Sequence, residues 1–150
     1  MRWLDADEMR AWRCYIVGSA LLDYRLNREL QEEHGITLAD YEILARLSEQ
    51  EGMRMRMTQL AADVASSKSR VSHQVARLES AQLVRRELCP RDGRGIFAVL
   101  TDSGFELLRT AAPTHLRGVR EHLIDRLTEE QRAALMVIFE DLAVRLGPPP

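Results

Sequence analysis

LAADVASSKSRVSHQVARLESAQLVRRELCPRDGR, residues 60–94, is the stretch that decides how the chain is built. Leu60, Ala61 and Val64 fall at helical spacing, small residues break the pattern at Ala65 and Ser66, and Ser67 stands where it can cap a second helix. Within that second helix Val71, Val75 and Leu78 share one stripe. Two short helices joined by a tight turn make a helix-turn-helix. If the apolar stripe faces inward, Ser69, Arg70, Ser72, His73, Ala76 and Arg77 form the outward arc, with Lys68 in the first turn. That arc is small, polar and basic without an acidic member. A helix that lies against phosphates and touches base edges in a major groove needs such a face.

The residues after it extend the same reading. Leu83–Leu88 and Gly95–Leu100 have strand character and are joined by a turn rich in Pro, Gly and charge, so they form a hairpin beside the second helix. Arg91, Asp92 and Arg94 give this hairpin the composition of a wing that crosses the DNA backbone and puts an arginine into the minor groove. Between Ser66 and Gly95 seven basic residues stand against three acidic ones, a surplus of four in a chain whose net charge is -2. A basic face on an acidic body fits a DNA-binding module with a separate assembly region.

At these positions the chain resembles the MarR family of winged helix-turn-helix regulators. The resemblance rests on Leu60-Ala61, Val64, Ser67, Ser69, Val71, Ser72, Val75 and Leu78-Glu79. It continues through Leu83-Val84-Arg85-Arg86, Pro90-Arg91-Asp92-Gly93-Arg94 and Leu100-Thr101-Asp102-Ser103-Gly104, roughly a third of the chain in all. It implies a mainly α fold with a small β wing, a winged helix-turn-helix flanked by N- and C-terminal dimerisation helices. It further implies that Arg94 enters the minor groove, held by Asp92. Three positions depart from the family pattern: Ala65 and Gln82 replace glycines, and Cys89 replaces an aspartate at the opening of the wing. If residues 65 and 82 must take positive φ, each side chain costs about 1 kcal/mol.

The flanking segments read as helices. About residues 7–34 form one long helix ended by Gly35, with Trp12, Tyr15, Ile16, Leu22, Leu26 and Leu30 on a main stripe. Cys14, Val17 and Leu21 give its first half a second apolar face, which must be buried against something other than its own domain, most economically a second copy. Thr37 caps a helix over 38–48, Met53–Met57 alternates as a short strand, and Thr58 caps the first helix of the motif. Thr101 opens a helical region to about Leu127, which Pro113 should kink or divide. Thr128 and Gln131 form a capping box for a last helix with Leu135, Ile138, Phe139, Leu142 and Leu146 on one face. A length of 150 residues is one domain, with about 37–100 as the winged helix and about 7–34 and 101–146 as dimerisation helices.

The expected function is that of a homodimeric, sequence-specific regulator of transcription acting on double-stranded DNA. Its operator would be an inverted repeat with half-sites about one helical turn apart, because two recognition helices sit on a two-fold axis. The family resemblance implies a repressor released by a small aromatic or phenolic effector, held in a cleft walled by the first, second and fifth helices. Trp12, Arg13, Tyr15, Tyr41 and His115 could line that cleft. Two alternatives stand beside this reading: a thiol-based oxidant sensor using Cys14 or Cys89, and a helical adaptor that binds protein. Cys14 reads as a packed thiol beside Val17 and Leu21, Cys89 as an exposed thiol at the wing tip near Arg86 and Arg91. Four dispersed histidines and two distant cysteines suggest no metal site, no cofactor and no disulfide. The chain has no catalytic constellation, apolar span or secretory signal, so a cytoplasmic protein that is not an enzyme and has no membrane partner is expected.

Overall fold

A computed structural model describes residues 1–91 and 93–149 of the chain. The first helix, α1, covers Ala6–His34; Asp5 caps it in a reciprocal box with Glu8, and Gly35 ends it in the left-handed conformation at φ 70°. Thr37 and Asp40 form a second capping box, and α2 runs over Leu38–Ser48. A short 3-10 turn at Glu51–Met53 leads into β1, Arg54–Arg56. The helix-turn-helix follows as α3, Met57–Asp63, and α4, Lys68–Ser80. Strands β2, Val84–Leu88, and β3, Ile96–Leu100, make the hairpin. Helix α5 spans Asp102–His122, a 3-10 turn occupies Ile124–Arg126, and α6 covers Glu129–Leu146.

The three strands form one antiparallel sheet in the order β1-β3-β2, so the hairpin is widened by a strand that precedes the helix-turn-helix. Leu30, Leu44, Leu47, Leu60, Val71, Val75 and Ala98 are fully enclosed between α1, α2, α3, α4 and the sheet. This core holds the recognition helix and the wing as one body. Helix α5 crosses α1 so closely that a Cβ on Gly118 would lie 2.5 Å from Glu29 Oε2 and 2.8 Å from Leu26 Cδ2. Polar groups reinforce the crossing. The Thr114 hydroxyl donates to Glu33 at 2.8 Å and takes a hydrogen bond from His34 at 2.8 Å, while Arg117 pairs with Glu33 at 2.7 Å. The Thr114 bond and then the Arg117 guanidinium hold the Glu33 carboxyl below its usual range.

Two local expectations change. Thr58 does not cap α3: the helix starts at Met57, with Arg56 in the capping position and no side-chain cap bond. Arg56 is paired with Phe97 in the sheet, so the end of β1 dictates where the helix begins. Pro113 does not divide α5, which continues to His122 and breaks at Leu123. Pro113 is exposed, so the carbonyl that lost its donor can meet water, and buried Leu108, Ala111, Thr114 and Gly118 pin the helix on both sides of it.

Ala65 and Gln82 both adopt positive φ, 48° and 61°, where glycine carries no Cβ penalty. Replacing either by glycine is expected to raise stability by up to about 1 kcal/mol, the strain released being partly offset by the freer unfolded chain. Thermal unfolding of the two single variants checks this. A midpoint lowered in both would show that these turns carry no strain.

The terminal helices are bare. No residue of α6 is buried, and Met136, Val137, Ile138 and Phe139 stand exposed in the single chain. On α1 nothing before Leu26 is buried, and Trp12, Tyr15, Ile16, Val17 and Leu21 are open. Cys14 lies on this uncovered face and is exposed, not packed as expected, because no element of its own chain covers the first half of α1. No helix is long and apolar enough to cross a membrane.

Candidate nucleic-acid interface

Helix α4 presents the anticipated outer arc. Val71, Val75 and Leu78 are buried, whereas Lys68, Ser69, Arg70, Ser72, His73, Ala76 and Arg77 are exposed. The Ser67 hydroxyl accepts the Arg70 N–H at 3.3 Å and so fixes the helix start at the turn. Arg70 borders a notch of about 200 Å³ with Glu42, Ala65 and Gln74, which opens between the turn and α2. Burial raises the Glu42 carboxyl above its ordinary range, Arg46 opposing and Asp23 adding to the shift.

Arg77 has an internal partner. Its guanidinium pairs with Asp40 of α2, a carboxylate only 8% exposed that also accepts the Thr37 N–H at 3.2 Å. The Arg77 side chain remains 58% exposed, so it bridges α2 and α4 while keeping an open edge. The pairing joins residues 37 positions apart, and no sequence spacing reports it.

At the hairpin the picture shifts most for Cys89. The thiol is 5% exposed rather than open at the tip, and Arg56 Nη2 donates to its sulfur at 3.4 Å. The Cys89 N–H is still paired, to the Gly95 carbonyl at 2.7 Å, so Cys89 belongs to the root of the wing. The strand alternation puts it on the sheet face that carries Arg56, and Leu88 takes the open position instead. Burial opposes a role as an oxidant sensor, which needs an accessible thiolate. Arg91 and Arg94 are exposed on the loop beyond this root. Asp92 lies outside the described residues. On the same outer sheet face Arg54 and Arg56 pack over the Phe97 ring, at 4.9 and 5.8 Å from its centre. The sequence alone did not pair these cations with Phe97, because the register of β1 on β3 decides it.

The five candidate effector residues do not converge. Trp12 and Tyr15 stack at 5.9 Å on the bare half of α1, with exposed Arg13 between them in sequence. Tyr41 and His115 meet at 4.3 Å in the seam between α2 and α5. Burial lowers the His115 pKa, its Nδ1 having no partner among the described residues, and burial followed by Glu49 raises that of the Tyr41 phenol. Tyr15 instead reaches Phe139 of α6 at 5.8 Å. These two rings border an apolar groove of about 730 Å³ between α1 and α6, lined also by Gly18, Leu22, Leu135 and Met136. Its walls are the stripes read from sequence as interface, and their facing one another was not foreseeable from either stripe alone.

Comparison with known proteins decides the family. Residues 36–96, from the start of α2 to the hairpin, match the MarR family model. AbsC, a MarR family transcriptional regulator from Streptomyces coelicolor, is 48% identical over 97% of this chain and 98% of its own, with a TM-score of 0.92. The chain belongs to the MarR family. Sco3205, another member from Streptomyces coelicolor, solved in complex with DNA, is 46% identical over 97% of this chain and 95% of its own, with a TM-score of 0.94. The mutant MarR of E. coli solved with operator DNA is 20% identical at a TM-score of 0.79, covering 94% of this chain and 99% of its own, a likeness of fold alone. The curated proteins offer no match. As a MarR-family member the protein is a transcriptional regulator, and its six helices and three-stranded sheet, counted among the described residues, are the winged-helix fold of that family.

Proposed function

We propose that this MarR-family regulator binds double-stranded DNA as a homodimer and represses transcription from inverted-repeat operators in the cytoplasm. The observation that carries the proposal is the outer arc of α4, whose seven exposed positions between Lys68 and Arg77 include no carboxylate, standing next to a basic wing on one rigid core. Such a helix fits a major groove, with Arg70 and His73 reaching base edges, Ser67, Lys68, Ser69, Ser72 and Arg77 along the backbone, and Arg91 and Arg94 in the neighbouring minor groove. The likeness to Sco3205, which was solved with DNA, supports the same reading. The uncovered apolar faces of α1 and α6 support dimerisation, because a monomer seldom leaves so large a patch in water. The protein acts by binding rather than by catalysis.

For release, we propose a small aromatic effector. The support is the pair of rings, Tyr15 and Phe139, on the groove between α1 and α6, where an aromatic ligand changes how the terminal helices pack and hence the spacing of the two winged helices.

A salt titration of duplex binding tests the DNA reading. Arg94→Ala is expected to weaken binding to every duplex about tenfold and to lower the slope of log affinity against log salt by about 1. Arg70→Ala is expected also to blur preference among bases. Unchanged affinity and slope in both variants would overturn this mode of docking.

A further inference from the structure

We propose that Arg86, one of the basic residues next to the interface, is a positioning residue that locks the wing to the recognition helix rather than a contact to DNA. The inference rests on the DNA-binding reading above. Arg86 lies on β2 opposite Ala98, on the sheet face that packs toward the helices. Its Nη2 donates to the carbonyl of Ser72, in the middle of α4, at 2.7 Å. Its backbone N–H donates to Glu79 Oε2 at 2.9 Å, so the same residue is tied to α4 twice, seven residues apart along that helix. Arg86 also lines a cleft of about 200 Å³ between wing and helix, together with Thr58, Lys68, Ser72 and Ile96.

The state of Nε separates a brace from a phosphate ligand. This atom is out of solvent and has no acceptor among the described residues. An arginine that clamps a phosphate needs its N–H edge open, since its strength is the two-donor fork. With Nε sealed from solvent and Nη2 on a backbone carbonyl, Arg86 cannot offer its Nε–Nη2 edge as a fork to a phosphate. Its role is to fix the angle at which the wing leaves α4. That angle decides whether Arg91 and Arg94 reach the minor groove while α4 occupies the major groove, because a rigid duplex demands both at once. A sequence reading counts Arg86 as one more basic residue of the face; the Ser72 carbonyl, a backbone acceptor, leaves no trace in the sequence.

A double-variant cycle with the wing tests the brace. In duplex titrations at fixed salt, Arg86→Met is expected to weaken binding about tenfold, much as Arg94→Ala does. The pair together is expected to bind within about threefold of Arg94→Ala alone, because a wing that lacks its arginine gains nothing from being held. Losses that multiply to about a hundredfold would show an independent contact to DNA and overturn the proposal. So would an Arg86→Met protein that binds like the parent. Circular dichroism and the thermal midpoint of each variant establish that folded protein is being compared. If Arg86→Met does not fold, the same cycle is run with Arg86→Lys, which keeps the charge but has no fork. A lysine variant that binds like the parent shows that charge suffices and overturns the proposal, as do losses that multiply with Arg94→Ala; a loss that disappears in the Arg94→Ala background supports it. If Arg94→Ala alone has no effect, the wing contact of the preceding section fails, and a tenfold loss from Arg86→Met alone then also counts against a role exerted through the wing.

Discussion

Phe139→Asp is expected to yield a folded monomer that has lost at least about a hundredfold in affinity for a full operator. The argument begins with the bare surface of α6, which has no buried residue and carries Met136, Val137, Ile138 and Phe139 in the open. Phe139 is 40% exposed and touches the Tyr15 ring, and it is not part of the central core. A carboxylate there leaves the winged helix intact, because no residue of α6 belongs to the core that encloses it. Between two copies, by contrast, the charge would have to be buried without a partner, at a cost of several kcal/mol. Loss of the dimer also removes the second half-site. Tethering two binding modules ordinarily multiplies affinity by about a hundred to ten thousand, so separating them forfeits that factor. Sedimentation and a duplex titration check both halves. A variant that stays dimeric, or a monomer that binds the full site as tightly as the parent, would contradict the role given to α6.

The second large effect is on folding. Gly104→Val is expected to cost about 3 kcal/mol and to lower the thermal midpoint by about 10 °C. Any Cβ on Gly104 would overlap the Leu83 carbonyl oxygen, and it would sit 2.7 Å from Leu100 Cδ1 and 3.0 Å from the Leu83 carbonyl carbon. These neighbours cannot yield cheaply. The Leu83 carbonyl accepts the Thr101 N–H at 3.2 Å, and the Thr101 hydroxyl donates to the Gln82 carbonyl at 2.7 Å, so the start of α5 is stitched to the strand that leads into the wing. Valine must push α5 off the sheet and open the core around Leu100 and Leu108. Differential scanning calorimetry measures the loss. An unchanged midpoint would mean that this close approach does not constrain the fold.

Much of this architecture is legible in the sequence where local chemistry fixes it. Thr37, Ser67, Thr101 and Thr128 each cap the helix that follows, and Gly35 stops α1 in the left-handed conformation, because these are bargains between residues a few positions apart. The apolar stripe of α4 and the strain at residues 65 and 82 are legible for the same reason. What escapes is set by distant partners. Cys89 reads as an exposed thiol until β1 lays Arg56 across it, 33 residues earlier in the chain. Arg86 reads as part of a cationic surface until the Ser72 carbonyl engages it, and Arg77 as a wholly solvated cation until Asp40 takes one of its edges. The candidate effector residues fall on two seams, Tyr15 against Phe139 of α6 and Tyr41 against His115 of α5, and no spacing in the sequence reports either partner. Thr58 and Pro113 mislead in the opposite way, as strong local signals that sheet pairing and helix packing override.

The central claim is that two copies of this chain, joined through α1 and α6, offer their α4 helices and wings to one duplex. Selection of preferred duplexes from a random pool by the purified protein tests it most directly. The account predicts inverted repeats whose half-site centres lie about one helical turn, roughly 10 base pairs, apart. Winners that carry a single unrepeated site, or a pool that shows no enrichment, would contradict it.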